Sequence, residues 1–443
     1  MPAMSQPNIL VVITHDSGRR FGCYGTGVDT PHVDRLAEEG VCFTNTFCSA
    51  PQCSAARASA WTGLTPHRNG LIGLTHLGFR MRPDVPRLAG MLADAGYHTA
   101  LFGFQHEEPD AHRMGYRQVE RAEGRQGHRI RNTLPLVTRF LESAPARPFY
   151  ACVGFSETHR PYPGDHRPVD PESVTVPGWL PDEPVVRGDL AALDGMIRGV
   201  DSAVGEIDAL LRKTGLADDT LLLYTTDHGI AFPRAKATLR DPGLGVALVA
   251  RGPGAFDGGA RIDRMTSTMD LTPTLLQFAG VDVPDELDGR SLLSLLADPN
   301  APWRDHLFPE MTFHAAYDPM RGIRTERWKY IRSFADRPMM FLPNVDDSPT
   351  KTLFMERGEH RIERPAELLY DLGADPHERS NLSADPAHAD VLAELRGRVQ
   401  TWMEETDDPL LAGHVDPPQG AHVTGAGAVH PIEDDTDDDW RKN

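Results

Sequence analysis

The sequence predicts an α/β protein in which a large central sheet, mostly parallel or mixed and flanked by helices, precedes a smaller C-terminal α+β domain. Three observations carry this reading. Short continuous runs of β-branched and aromatic residues recur along the N-terminal part. Helical patterns alternate with those runs. Around Pro299 and Pro302 the chain is interrupted and the pattern changes.

The strand-like runs are Ile9–Thr14, Thr99–Phe104, Phe149–Phe155, Thr220–Thr226 and Val246–Arg251. Apolar runs this continuous suit a sheet covered on both faces. Pro31–Gly40 has proline near its start and glycine at its end, the usual asymmetry of a helix. Leu190, Leu193, Ile197, Val200, Val204, Ile207 and Leu211 step by three and four, which puts them on one helix face. After the interruption, Glu326–Phe334 and Glu367–Leu372 read as strands of a second sheet and Ala387–Glu405 as a helix. The expected organisation is a catalytic domain at 1–304, a smaller domain at 305–412, and a flexible tail at 413–443 that contains the acidic run Glu433–Asp439. No internal repeat is visible.

Composition narrows the function. The 443 residues carry 64 acidic against 45 basic side chains, a net charge of −19. That argues against nucleic acid and against an anionic membrane surface, both of which need a basic face. It leaves room for a small anionic substrate held by local positive charge in a cleft. Five cysteines (Cys23, Cys42, Cys48, Cys53 and Cys152) in so long a chain are not a disulfide framework. With no charged-then-apolar leader and no membrane-length apolar run, the expectation is a cytoplasmic protein with free thiols.

Open α/β sheets place their sites at the carboxyl ends of strands. Two such ends carry metal-type ligands: His15-Asp16 after Thr14, and Asp227-His228-Gly229 after Thr226. Carboxylate and imidazole together suit a divalent cation. Either pair alone is more often a turn or a helix cap; two in one probable sheet are harder to dismiss. Four further elements stand beside them: Cys53 four residues before Arg57, followed by Thr62-Gly63; His106 past the run ending at Phe104; His159 past the run ending at Phe155; and Lys236 shortly after Asp227-His228-Gly229. Singly, each reads as an ordinary structural residue.

In order, these elements resemble the sulfatase family of the alkaline phosphatase superfamily. Cys53-Ser54-Ala55-Ala56-Arg57 with Thr62-Gly63 is similar to its C-x-P-S-R…T-G signature, and Gly96-Tyr97-x-Thr99…Gly103…His106 to its second signature. Asp270-Leu271-Thr272-Pro273-Thr274 and Leu369-Tyr370-Asp371-Leu372…Asp375-Pro376…Asn381-Leu382 resemble later stretches, so the likeness spans about residues 7–405. Within the family, Gly229-Ile230-Ala231-Phe232-Pro233, Tyr317-x-Pro319-Met320-Arg321 and His159-Arg160 resemble N-sulfoglucosamine sulfohydrolase (heparan sulfamidase) members.

The resemblance implies an alkaline phosphatase-like fold and a sulfuric ester or sulfamide hydrolase acting on a small sulfated sugar. It implies that a formylglycine-generating enzyme oxidises Cys53 to formylglycine, whose hydrate is the nucleophile. Arg57 would stabilise the nucleophile, His106 orient the hydrate, His159 protonate the leaving atom and Lys236 bind a sulfate oxygen. Asp16, Asp227, His228 and the residue-53 side chain would hold one divalent cation, with His15 a further ligand. Three departures stand out. Ala55-Ala56 replaces Pro-Ser. His15 stands where an Asp is usual, which shifts the expected Ca²⁺ toward Mn²⁺. Phe104 stands where a sulfate-binding Lys is usual. The alternatives are a phosphodiesterase or phosphonate monoester hydrolase of the same superfamily, and a degenerate protein that only binds sulfated ligands. Glu310, His314 and Arg321 are candidates for a substrate-facing rim, and a homodimer is the candidate assembly.

Overall fold

The computed structural model describes residues 6–122, 127–162, 164 and 166–431; the acidic run Glu433–Asp439 lies outside them. The large sheet has eight strands in the order Ala260–Ile262, Val41–Phe43, Leu248–Arg251, Thr220–Thr226, Asn8–Thr14, Phe149–Gly154, His98–Gly103 and Gln118–Glu120. The five from Thr220–Thr226 to Gln118–Glu120 are parallel. Leu248–Arg251 runs antiparallel to both its neighbours, so the sheet is mixed. The run read as Val246–Arg251 divides: Gly245–Val246 joins a separate three-stranded sheet, and Leu248–Arg251 stays in the large one.

Strand alternation explains why the central runs are apolar throughout. Leu10 and Val12 face the long helix Pro184–Lys213, packing in one cluster with Leu190, Ile197, Val200, Val204 and Ile207. Ile9, Val11 and Ile13 point to the other face, in a cluster with Trp61, Leu88, Leu271 and Leu275. With both faces covered, every residue of Asn8–Thr14 is buried. The register pairs Thr14 with Thr226 and Ile13, like Gly103, with Gly154. Four adjacent strands therefore end level, and the chain leaves all four on one edge.

The second sheet is antiparallel and spans His306–Leu307, Glu310–Phe313, Tyr317–Thr325, Trp328–Ser333 and Glu367–Asp371. One face carries Ile323, Tyr330 and Leu369 against Leu395, Val399 and Trp402 of the helix Ala389–Glu405. The other face, with Met320, Ile331 and Tyr370, packs on Phe47, Ala56 and Val246. The small sheet thereby braces the helix that carries Cys53.

The segment from Gly413, which composition marks as a flexible tail, is laid against the body up to Pro431. Val415, Ala421 and Val423 pack on the large core. The His422 N–H donates to Leu77 O (2.7 Å) and the Thr424 N–H to Ala315 O (2.8 Å). His430 pairs with Asp347 at 2.8 Å. The apolar residues scattered among its Gly and Pro are what dock it. Among the described residues no helix is long and apolar enough to cross a membrane.

Candidate active site

Residue 53 opens a buried helix, Cys53–Thr62, whose N-cap is the extended Gln52. Its side chain thus lies at the positive end of a helix dipole. Cys53 Sγ is 3.2 Å from His228 Nε2. Burial, the largest influence, raises the thiol pKa well above its ordinary value. All five cysteines are free.

Asp16 follows the strand Asn8–Thr14 in the left-handed region, at φ 44°, a strained setting for a residue other than glycine and one that marks functional turns. Its carboxylate is 3.1 Å from His228 Nε2 on one oxygen and 3.1 Å from Lys236 Nζ on the other. Asp227 accepts the backbone N–H groups of Asp16 (3.0 Å) and His228 (2.9 Å) on Oδ1, and Arg57 Nε (3.0 Å) on Oδ2. Burial opposes its ionisation, but His228, Arg57 and His15 outweigh that and hold its pKa well below the usual carboxylate range. His15 Nδ1 lies 3.1 Å from Asp227 Oδ2, and burial drives the imidazole pKa well below its usual value.

This donor set fits a cation. Single ligand atoms of His15, Asp16, Cys53 and Asp227 lie within 4.8 Å of one another. The His228 Nδ1–H donates to the Gly229 carbonyl at 2.9 Å, which leaves the Nε2 lone pair facing Asp16 Oδ1. A cation beside these two acceptors, or a proton between them, satisfies both. His15 Nε2 and Asp16 Oδ1 are also buried without a hydrogen-bond partner.

Three further groups close the site. Gly103, at φ 76°, turns the chain out of its strand, and a Cβ on the opposing Gly154 would lie 1.9 Å from Phe104 O. That close turn carries Phe104 and His106 over the site. His106 Nε2 is 2.8 Å from His76 Nδ1, with the rings stacked. His159 is half-buried, its ring centroid 5.3 Å from that of His15. Its Nδ1–H donates to Arg160 O at 2.6 Å, so Nε2 is left for proton transfer. Arg160 fixes that loop through Asp189 (2.8 Å) and Ala231 O (2.9 Å). Lys236 sits in a turn with Arg234 and Ala237 at positive φ, and the Ala237 N–H donates to Pro51 O at 2.9 Å. Burial disfavours the ammonium, but Asp16 and Asp346 outweigh it and raise its pKa well above normal.

The structure thus brings together His15, Asp16, Cys53, Arg57, His106, His159, Asp227, His228 and Lys236. The rim expected from the smaller domain needs correction. Glu310 and Arg321 are buried at 1% and 0% exposure. They are 3.1 Å apart in a network with His67 and Asp408, because a buried guanidinium needs carboxylate partners. His314 is buried too, at 6% exposure, within electrostatic reach of Lys236, Asp346 and His228. Sequence reasoning missed His76 and Asp346. Asp346 is 110 residues beyond its partner Lys236 in a loop with no motif of its own, so no local signal marks it.

A sulfatase family model matches residues 7–281, and a model for the N-sulphoglucosamine sulphohydrolase C-terminal region matches residues 234–364. The chain is 30% identical to human N-sulphoglucosamine sulphohydrolase, over 91% of each chain. It is 29% identical to an ulvan-active sulfatase of Formosa agariphila, over 91% of this chain and 81% of that one. Among solved structures, a phosphonate monoester hydrolase from Silicibacter pomeroyi superposes with TM-score 0.70 at 21% identity, covering 92% of this chain and 97% of that one. The chain belongs to the sulfatase family, within the alkaline phosphatase superfamily, and is an enzyme of the sulfuric ester hydrolase class.

Proposed function

We propose that this chain hydrolyses a sulfate ester or N-sulfate on a small sugar, through a formylglycine hydrate made from Cys53. The observation that carries the reading is the position of Cys53 Sγ, at a helix N-terminus, 3.2 Å from His228 Nε2 and among the ligand atoms of His15, Asp16 and Asp227. Burial keeps the thiol protonated, whereas a hydrate offers two hydroxyl groups at the same place. The likeness to human N-sulphoglucosamine sulphohydrolase supports the sugar.

His15, Asp16, Asp227, His228 and residue 53 would hold one divalent cation, which supplies Lewis-acid stabilisation of negative charge. Two imidazoles among the donors tilt the set from Ca²⁺ toward Mn²⁺. In the reaction one hydrate hydroxyl releases its proton to solvent water and its oxygen forms a bond to sulfur, while the bond from sulfur to the sugar oxygen or nitrogen breaks. His159 Nε2–H gives its proton to that leaving atom. Lys236 and Arg57 place fixed positive charge beside the transferring group. The second hydrate hydroxyl then gives up its proton, which restores His159 by way of water; the carbonyl forms as the carbon–oxygen bond to sulfate breaks, sulfate departs, and water rehydrates the aldehyde. His76 holds His106 against the hydrate.

One observation favours a second reading, a phosphonate monoester or phosphodiester hydrolase: Phe104, buried at 5% exposure, offers no cation to a sulfate oxygen. The deciding experiment is a mass spectrum of the Cys53 peptide from protein co-produced with a formylglycine-generating enzyme, with metal analysis and assays on nitrophenyl sulfate, phosphodiesters and phosphonate esters. Formylglycine with sulfate as the best substrate is expected. Unmodified thiol in fully active protein overturns the nucleophile. Higher kcat/KM on phosphodiesters than on every sulfate reverses the two readings.

A further inference from the structure

Lys236 has more negative charge around it than an anion site needs. Its ammonium contacts Asp16 at 3.1 Å and Asp346 at 3.2 Å. Asp16 belongs to the cation cluster. Asp346 does not; it enters from the loop after the turn Leu342–Asn344. A carboxylate placed there weakens the hold of Lys236 on an anion, unless it has a task of its own.

Asp346 approaches from the smaller domain, and the groups that act on its carboxylate, after Lys236, are His159, His314 and Arg160. His159 is the proton donor assigned to the leaving atom, so this is the side from which the sugar departs. His314 stands on the loop that Asn344 ties to that of Asp346; it is 6% exposed, with Nδ1 buried and making no hydrogen bond. The loops of the two residues are tied to each other: Asn344 accepts the Ala316 N–H at 2.8 Å and donates to Ala316 O at 3.4 Å. Lys351 Nζ further fixes the Asp346 loop through Val345 O (2.7 Å) and Leu342 O (3.2 Å). A carboxylate and an imidazole on two loops tied to each other, with the carboxylate on Lys236, make a hydrogen-bonding surface for a polyol rather than a second place for sulfate.

We propose that Asp346 and His314 form the sugar subsite, with the Asp346 carboxylate accepting a hydrogen bond from a hydroxyl or amino group on the carbon next to the sulfated position. The proposal rests on the reading of the site as one for a sulfated sugar. It narrows the substrate class to sugars whose sulfate is flanked by such a donor. A donor lost from the substrate leaves the carboxylate desolvated with Lys236 as its partner and one acceptor position unfilled, so discrimination comes from the cost of the mismatch.

The test separates the sugar from its sulfate. In a Cys53→Ser background, which keeps an oxygen at the cation cluster and cannot form the hydrate, N-sulfoglucosamine, its 3-O-methyl ether and inorganic sulfate are titrated calorimetrically in Mn²⁺ buffer. Asp346→Asn is expected to raise the Kd for N-sulfoglucosamine at least tenfold. The same change leaves inorganic sulfate unchanged or tighter, because it removes a negative charge beside Lys236. The ether is expected to bind the Asp346-containing protein about as weakly as N-sulfoglucosamine binds Asp346→Asn. Opposite effects on sugar and sulfate are a result that loss of packing does not produce. If both ligands tighten together, Asp346 only neutralises Lys236 and the subsite is rejected; weakening of both in parallel rejects it as well. If the parent protein fails to bind inorganic sulfate, the sulfate-site reading itself falls, and the subsite with it.

Discussion

The His15 imidazole stands edge-on to the Phe104 ring, with centroids 4.3 Å apart and planes at 68°. These are two of the positions where the chain departs from the usual sulfatase pattern, and they touch. Two rings in contact here leave the same local net charge as an acid paired with a base would. Phe104 also stacks under Arg57, its centroid 5.3 Å from the guanidinium carbon. His15→Asp alone buries a third carboxylate beside Asp16 and Asp227, and in EDTA it should cost about 3 kcal/mol. Adding Phe104→Lys should recover most of that loss. Calcium affinity relative to manganese should rise at least tenfold in the double variant. Thermal melts in EDTA and metal titrations measure both, and additive effects of the two substitutions would show that the contact is not a coupling.

His159 should matter in proportion to how badly the leaving group needs a proton. His159→Ala is expected to lose about 10²–10⁴-fold in kcat on a sulfated sugar and roughly tenfold or less on nitrophenyl sulfate, whose phenolate leaves unaided. Equal losses on both would remove the general-acid role.

The His67–Glu310 pair, 2.8 Å apart, gives stability a pH signature. Burial raises the Glu310 pKa, but His67 and Arg321 outweigh it and bring it down to about 2 from 4.5. That contribution is present above pH 4.5 and lost as pH falls through about 2. Burial lowers the His67 pKa, but Glu310 outweighs it and the net is above 6.5, so the His67 contribution is full below 6.5 and lost as pH rises through the raised value. The pair therefore stabilises most between pH 4.5 and 6.5. Glu310→Gln should cost about 3 kcal/mol in that window. Denaturant unfolding at pH 5.5 and near pH 2 should show the gap to the unsubstituted protein closing on acidification.

The strap 413–431 touches the neighbours of three site residues: Leu77 beside His76, Ala315 beside His314, and Asp347 beside Asp346. Ending the chain after Ala412 should lower kcat/KM on a sulfated sugar at least tenfold, while ending it after Pro431 should leave kcat/KM within about twofold. Thr424→Pro, which deletes the N–H that Ala315 O accepts and fixes φ there, should fall between them. Identical kinetics for the two truncations would make the strap irrelevant to the site.

Much of the site was legible because its residues sit where periodic segments stop. The continuous apolar runs Ile9–Thr14 and Thr220–Thr226 predict buried strands, and His15-Asp16 and Asp227-His228 follow them directly. His106 and His159 lie past two further strand ends by the same logic. The ordered signature around Cys53, Arg57 and Gly96–His106 supplied the family.

The sequence by itself determined the alternation of strands and helices, the strand ends that carry the ligands, and the family. These are properties of backbone periodicity and of motifs a few residues long. Only the tertiary structure decided that Leu248–Arg251 is antiparallel, that residues 413–431 dock, and that Glu310 and Arg321 are buried ion partners rather than a rim. It alone brought His76 to His106 and Asp346 to Lys236. Those pairings join side chains 30 and 110 residues apart, and His67 meets Glu310 across 243. A contact of that range leaves no period in the chain, because it depends on where two separately encoded elements come to rest.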